Sequence, residues 1–106
     1  MSEAKVDRAE STFGVRLRAA RMRRRLAHDT LGVLAGLNEA SSSARISRYE
    51  AGIHKPDEQI AKKLARVLEV PLAYLYCDDE LIASLLLQIG AMSIEKRRKL
   101  LNQLSG

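Results

Sequence analysis

Six arginines fall within one short stretch, Arg16, Arg18, Arg21, Arg23, Arg24 and Arg25, and they are the densest chemistry in this sequence. A guanidinium is a planar fork that grips paired oxygens, so such a cluster suits a polyanion such as a phosphate backbone. The surplus is local: residues 1–30 carry eight Lys/Arg against four Asp/Glu, whereas residues 56–106 carry seven of each. A one-sided positive patch supplies much of the attraction to nucleic acid, although a solvated helix face has the same composition. The other reactive side chains do not assemble into a pattern. His28, His54 and Cys77 are widely spaced singles, without the paired spacing of a metal site or a base set beside a nucleophile. No glycine-rich phosphate loop accompanies them. The sequence predicts a protein that is not an enzyme and needs no metal or cofactor.

These residues must be carried by a small scaffold. A chain of 106 residues, 46% hydrophobic and 29% charged, supports one compact domain with a short appendage. Aromatics are scarce (Phe13, Tyr49, Tyr74 and Tyr76), so the core must come from Leu, Ile, Val and Ala. The single cysteine excludes an intramolecular disulfide and fits a reducing cytoplasm. Residues 1–11 are polar and mixed in charge, which predicts a flexible segment and not a signal peptide. No apolar run reaches membrane-spanning length.

Helical spacing recurs along the whole chain, and strand alternation does not. A first helix is expected from Thr12 to about Arg24, with Phe13, Leu17 and Ala20 on one face. A second fits His28 to Ala35, with Leu31, Leu34 and Ala35 inward and Gly36 as its terminator. A third follows a turn at Asn38–Ser43, capped by one of Ser41, Ser42 or Ser43, with Ile46 and Tyr49 inward and Gly52 closing it. Asp57 opens a fourth through Ile60, Leu64, Val67 and Leu68. A short fifth spans Leu72 to Tyr76. Acidic Asp78-Asp79-Glu80 begins a sixth that runs to Gly90, and Ser93 caps a last one bearing Ile94, Leu100, Leu101 and Leu104.

Two short helices joined by a tight turn, between other helices, describe a helix-turn-helix. From Phe13 to Tyr76 the chain resembles the lambda-repressor-like, Cro/Xre family of DNA-binding domains. The resemblance rests on Phe13-Gly14 with Leu17 and Arg21, Leu31 through Ala35-Gly36-Leu37, and Ile46-Ser47-Arg48-Tyr49-Glu50 with Gly52. Lys55-Pro56, Ala65 with Leu68, Val70-Pro71-Leu72 and Tyr74-Leu75 complete it. It implies an all-α, five-helix domain over residues 12–77 that binds operator DNA, usually as a dimer. Residues 78–106 then form one or two extra helices, a candidate dimerisation region.

Carried over position by position, the resemblance makes Ser43, Ala44, Ser47 and Arg48 the base-reading candidates, with Arg45 beside them, on a reading helix near 42–50. Arg can bridge guanine O6 and N7, Ser bonds several base edges, and an Ala methyl meets thymine. His28 stands in the first turn of the second helix, where the family often has a Gln bonding to phosphate; Arg23, Arg24 and Arg25, just before it, and Ser42 are further phosphate candidates, and the resemblance implies a structural ion pair between Arg21 and Glu50. Two departures stand out. Ala27 occupies the cap of the second helix, where the family has Ser or Thr. Eight residues, Asn38 to Arg45, stand where the common pattern has four, and they lengthen either the turn or the front of the reading helix.

The expected function is a sequence-specific, double-stranded DNA-binding transcriptional regulator, repressor-like and cytoplasmic. An antitoxin with a toxin partner shares the same chemistry. A helical protein-interaction module that no longer binds DNA is the alternative from another class, against which the arginine cluster argues.

Overall fold

The computed structural model describes residues 11–106, so the expected flexible segment falls almost wholly outside the described residues. Among these residues there are seven α-helices and no strand. Helix α1, Thr12–Arg23, starts where Ser11 Oγ accepts the Gly14 N–H at 2.8 Å, satisfying one of the free amides of the first turn. The chain leaves α1 through Arg24 and through Arg25, whose φ of 57° is left-handed. Helix α2, His28–Leu34, begins at Ala27 with no side-chain cap, but Asp29 Oδ1 accepts the Thr30 N–H at 2.8 Å. The missing hydroxyl is thus partly replaced from inside the first turn.

The α2 interior differs from expectation at Leu34, which is 59% exposed. The buried residues are Leu31, Gly32 and Ala35. Gly32 packs directly on Ser42, which rotates the inward stripe toward position 32 and turns Leu34 out to solvent.

The connection to α3, Glu39–Ala51, settles which of the two lengthened elements this chain contains. Gly36 (φ 90°) donates its N–H to Val33 at 2.9 Å, and Leu37 donates to Gly32 at 2.9 Å. That pair of bonds is a Schellman closure, which ends a helix within two residues. Asn38 then caps α3 at once, its Oδ1 accepting the Ala40 N–H at 2.9 Å. The turn stays short and the additional residues become about one helical turn at the front of α3. The serine cap expected at 41–43 is therefore replaced by Asn38, and the expected reading helix at 42–50 is the C-terminal two-thirds of a longer one.

Helix α4, Glu58–Leu68, is capped by Asp57, and α5, Leu72–Tyr76, follows the break at Val70-Pro71. Leu17, Leu31, Ile46, Leu64, Leu68 and Leu75 are fully buried, one or two from each of these five helices. The fold is thus the expected five-helix domain with two helices after it. Helix α6, Glu80–Gly90, is capped by Asp79 and contributes Ala83 to the core. Helix α7, Ile94–Ser105, buries none of its residues.

Candidate nucleic-acid interface

Helix α3 is held by one side and bare on the other. Ser42, Ile46 and Tyr49 are buried, at the i, i+4, i+7 spacing of a single helical face. Ser43, Ala44, Ser47 and Arg48 are all exposed, joined by Ala40 from the added first turn and by Ala51 at the end. Five of these six side chains are small, so a partner surface can approach the helix backbone closely, and Arg48 is the one long donor among them. Arg45 is placed differently. It is half-buried, its Nη2 lies 2.8 Å from the Tyr49 hydroxyl, and its guanidinium sits 5.9 Å from that ring's centroid. It lies along the flank of α3, apart from the exposed four.

The C-terminal end of α3 is fastened to α1. Arg21 Nε donates to Glu50 Oε2 at 2.6 Å and Nη2 to Oε1 at 3.2 Å, a two-pronged fork, while Nη1 donates to the Leu26 carbonyl at 2.9 Å. The side chains are 12% and 7% exposed, so little water competes for them. Fork geometry between a guanidinium and a carboxylate fixes orientation as well as distance. It therefore sets the angle of α3 against α1, with Gly14 allowing the close approach. A Cβ at Gly14 would collide with the Glu50 and Tyr49 carbonyls. His28, the first residue of α2, adds a third arm: its Nε2 stands 3.2 Å from Glu50 Oε1.

The candidate phosphate contacts separate on inspection. Arg23, Arg24 and Arg25 are exposed at the end of α1 and the bend after it, with Arg24 Nη1 3.1 Å from Glu69 Oε1. His28 keeps 37% of its side chain exposed. Ser42 is not available. It is fully buried against Gly32, with its hydroxyl 3.2 Å from the Asp29 carbonyl and 3.4 Å from that of Glu39, so it is a packing residue between α2 and α3.

Arg16 likewise leaves the polyanion-facing cluster. It is 5% exposed, donates Nε to the Cys77 carbonyl at 2.9 Å, places Nη1 3.2 Å from Glu80 Oε1, and lies over the Tyr74 ring. It ties α1 to the junction of α5 and α6. The signal for this was its position between Phe13, Leu17 and Ala20 on the apolar face of α1. Nothing in the pattern of single residues pointed to the Gly32–Ser42 contact, because neither residue is apolar enough to mark a core position. Among the described residues, no group of His, Cys, Asp and Glu is placed to hold a metal ion. Nor, among the described residues, is any helix long and apolar enough to cross a membrane.

A family model described as a helix-turn-helix domain matches residues 12–75. The chain belongs to that family. In its terms α2 and α3 are the two helices, Ala35 to Asn38 is the turn, and α1, α4 and α5 are the scaffold. The helix-turn-helix chain is also similar to a solved structure, the crystal structure of the transcriptional regulator BswR. The two share 39% sequence identity and superpose with a TM-score of 0.80, over 87% of this chain and 91% of that one. That coverage is too large to be met by residues 1–75 alone, so the likeness reaches into the C-terminal helices. No curated protein matches the chain.

Proposed function

We propose that this helix-turn-helix protein is a repressor-like transcriptional regulator that binds operator DNA in the cytoplasm, without catalytic activity. One observation carries the reading. A rigidly anchored helix presents an outer face of Ala40, Ser43, Ala44, Ser47, Arg48 and Ala51, with exposed arginines and His28 on neighbouring elements. A helix about 10–12 Å across matches the width of the B-DNA major groove, and small side chains let it seat deeply. Arg48 then offers its fork to guanine, Ser43 and Ser47 offer hydroxyls to base edges, and the Ala44 methyl meets thymine. Arg23, Arg25 and His28 take the phosphates beside the groove. The likeness to a transcriptional regulator supports the same reading.

The working unit in this proposal is a homodimer, with residues 12–77 as the reading domain and 78–106 as the pairing arm. Leu81, Ile82, Leu85, Ile94, Leu101 and Leu104 are each at least half exposed. A helix of this length is marginal in water unless an apolar face is covered. A second copy covers it and supplies the second reading head that a two-fold operator requires.

Selection of bound sites from a pool of random duplexes tests the function. Enrichment of a palindromic motif is the expected result. Recovery of no motif, under salt conditions where the protein still binds duplex, would remove sequence-specific regulation.

A further inference from the structure

Helix α1 carries a second arginine clamp, one and a half turns before the one that holds the reading helix. Arg21 fastens α1 to Glu50 of α3, and Arg16 fastens the same helix to the start of α6. Three residues, Cys77 to Asp79, separate α5 from α6, with Cys77 and Asp79 both extended. A link of that kind leaves the next helix free to swing unless both of its sides are held. Arg16 holds both. Its Nε donates to the Cys77 carbonyl at 2.9 Å, and its Nη1 reaches Glu80 Oε1 at 3.2 Å and Oε2 at 3.3 Å.

Stability alone does not call for an arginine here. Arg16 is 5% exposed, lies over the Tyr74 ring and keeps Nη2 buried with no hydrogen-bond partner among the described residues. A buried donor left unmet carries a desolvation penalty, and well-packed apolar residues in such a site are often as stable or more so. What the planar guanidinium adds is direction. Two donors held in one plane and aimed at two partners define the angle at which α6 leaves the domain. Farther along, Ala83 packs into the core, and a Cβ at Gly90 would fall 2.7 Å from Pro71 Cγ. Helix α6 is thus fixed at its root, its middle and its end.

We infer that Arg16 is a specificity-determining residue for operator architecture: by fixing α6 to α1 it sets the distance and rotation between the two reading helices of the dimer, and so the half-site spacing that the protein accepts. The inference rests on the proposed DNA binding and on pairing through residues 78–106. Given both, an unbroken series of rigid joints runs from the bases to the two-fold axis: α3, the Arg21–Glu50 fork, α1, the Arg16 joint and α6. Half-site spacing in a two-headed reader is a geometric consequence of such a series. Arg16 and Glu80 lie on α1 and α6, not on the exposed face of α3, so a change at either leaves the reading of each half-site as it was.

The test takes the palindrome recovered by the random-duplex selection and rebuilds it with its central spacer shortened or lengthened by one and by two base pairs. Moving a half-site by two base pairs turns it about 70° around the duplex axis, at about 10.5 base pairs per turn. The full-length wild type, Arg16→Lys and Glu80→Ala are titrated on this series and on a duplex holding one half-site. Lysine keeps the charge and the stem but has no fork to span Cys77 and Glu80. The Glu80 side chain is 57% exposed, so its removal leaves the core packed. The wild type is expected to bind its selected spacing about a hundredfold more tightly than either two-base-pair displacement, the avidity lost when both heads cannot engage together. Both variants should flatten that ratio to about tenfold or less. They should also bind the single half-site as the wild type does and keep twice the chain mass in light scattering. A folded, dimeric variant with the wild-type spacing profile overturns the inference. So does one that loses as much affinity for the single half-site as for the palindrome, which marks a structural role alone. If Arg16→Lys does not fold, Glu80→Ala decides by itself. A selection that recovers only a single half-site, with no preferred spacing, removes the pairing and the inference with it and leaves DNA reading standing. Failure to bind any duplex removes the proposed function as well.

Discussion

Gly32 of α2 and Ser42 of α3 are packed so closely that a methyl group on the glycine would lie 2.5 Å from Ser42 Cβ and 3.1 Å from its Cα. The contact brings the two helices of the helix-turn-helix together, and Ser42 completes it by placing its hydroxyl 3.2 Å from the Asp29 carbonyl. In an exposed helix, Gly→Ala stabilises by about 1 kcal/mol through helix propensity. Here the added carbon has no space and must push α3 away from α2. Gly32→Ala is expected to cost about 1–3 kcal/mol, the usual penalty for overpacking, and to lower Tm by about 5–15 °C. A thermal melt decides the sign, and a variant as stable as the wild type or more so would show that α2 and α3 have room to separate.

The Arg21–Glu50 fork predicts an energetic coupling and not merely two destabilised variants. Removing either partner strands the other charge in a site with little water, at a cost of about 3–5 kcal/mol for a fully buried pair and less here, where both retain slight exposure. Once one is gone, losing the second also removes the stranded charge. Arg21→Ala, Glu50→Ala and the double variant should therefore be non-additive in urea unfolding, with a coupling of about 1–3 kcal/mol. Single effects that sum to the double within about 0.5 kcal/mol would mean the fork contributes orientation without stability.

How legible this was in the sequence depends on what kind of signal each feature leaves. The helices announce themselves because Leu17, Leu31, Ile46, Leu64, Leu68 and Leu75 are large apolar residues at helical intervals, and all six are fully buried. The start of α3 was hidden because three serines offered caps and only the Schellman closure at Gly36 and Leu37, a backbone event, selects Asn38. The same shift withdraws Ser42 from the DNA side, since one added turn carries it onto the α2 contact. Charge counting alone misplaces Arg16. A guanidinium reads as surface until the Cys77 carbonyl and the Tyr74 ring are seen to enclose it. Leu34 is the converse case, an apolar residue at helical spacing that faces solvent because the neighbouring Gly32 takes the contact face.

Base and phosphate contacts should respond differently to substitution. Arg48, exposed on the outer face of α3, is expected to carry sequence discrimination. Arg48→Ala should reduce the preference for the selected site over mixed-sequence duplex by about 1–3 kcal/mol, relaxing one position of the motif. Arg23→Ala and Arg25→Ala should weaken binding to both duplexes alike and lower the slope of log affinity against log salt by about one each. Affinity titrations on the two duplexes at several salt concentrations separate the classes. Uniform weakening by Arg48→Ala would move that residue to the backbone.

Self-association through the C-terminal arm can be tested without disturbing the reading domain, because the residues concerned pack against little within the chain. Leu101 is 62% and Leu104 76% exposed, and no residue of α7 is buried. Replacing both leucines by Glu should leave the five-helix core intact. In a dimer the same change places two pairs of carboxylates in an apolar contact, and removing a charge from water without a partner is costly. Light scattering on the full chain is expected to give twice the chain mass for the wild type and the single mass for Leu101→Glu/Leu104→Glu. The double variant should keep its duplex binding per reading head but lose the tight engagement of a palindrome, since two linked heads bind with a raised effective concentration. A monomeric wild type, or a variant that remains dimeric, would place the pairing surface elsewhere or remove it.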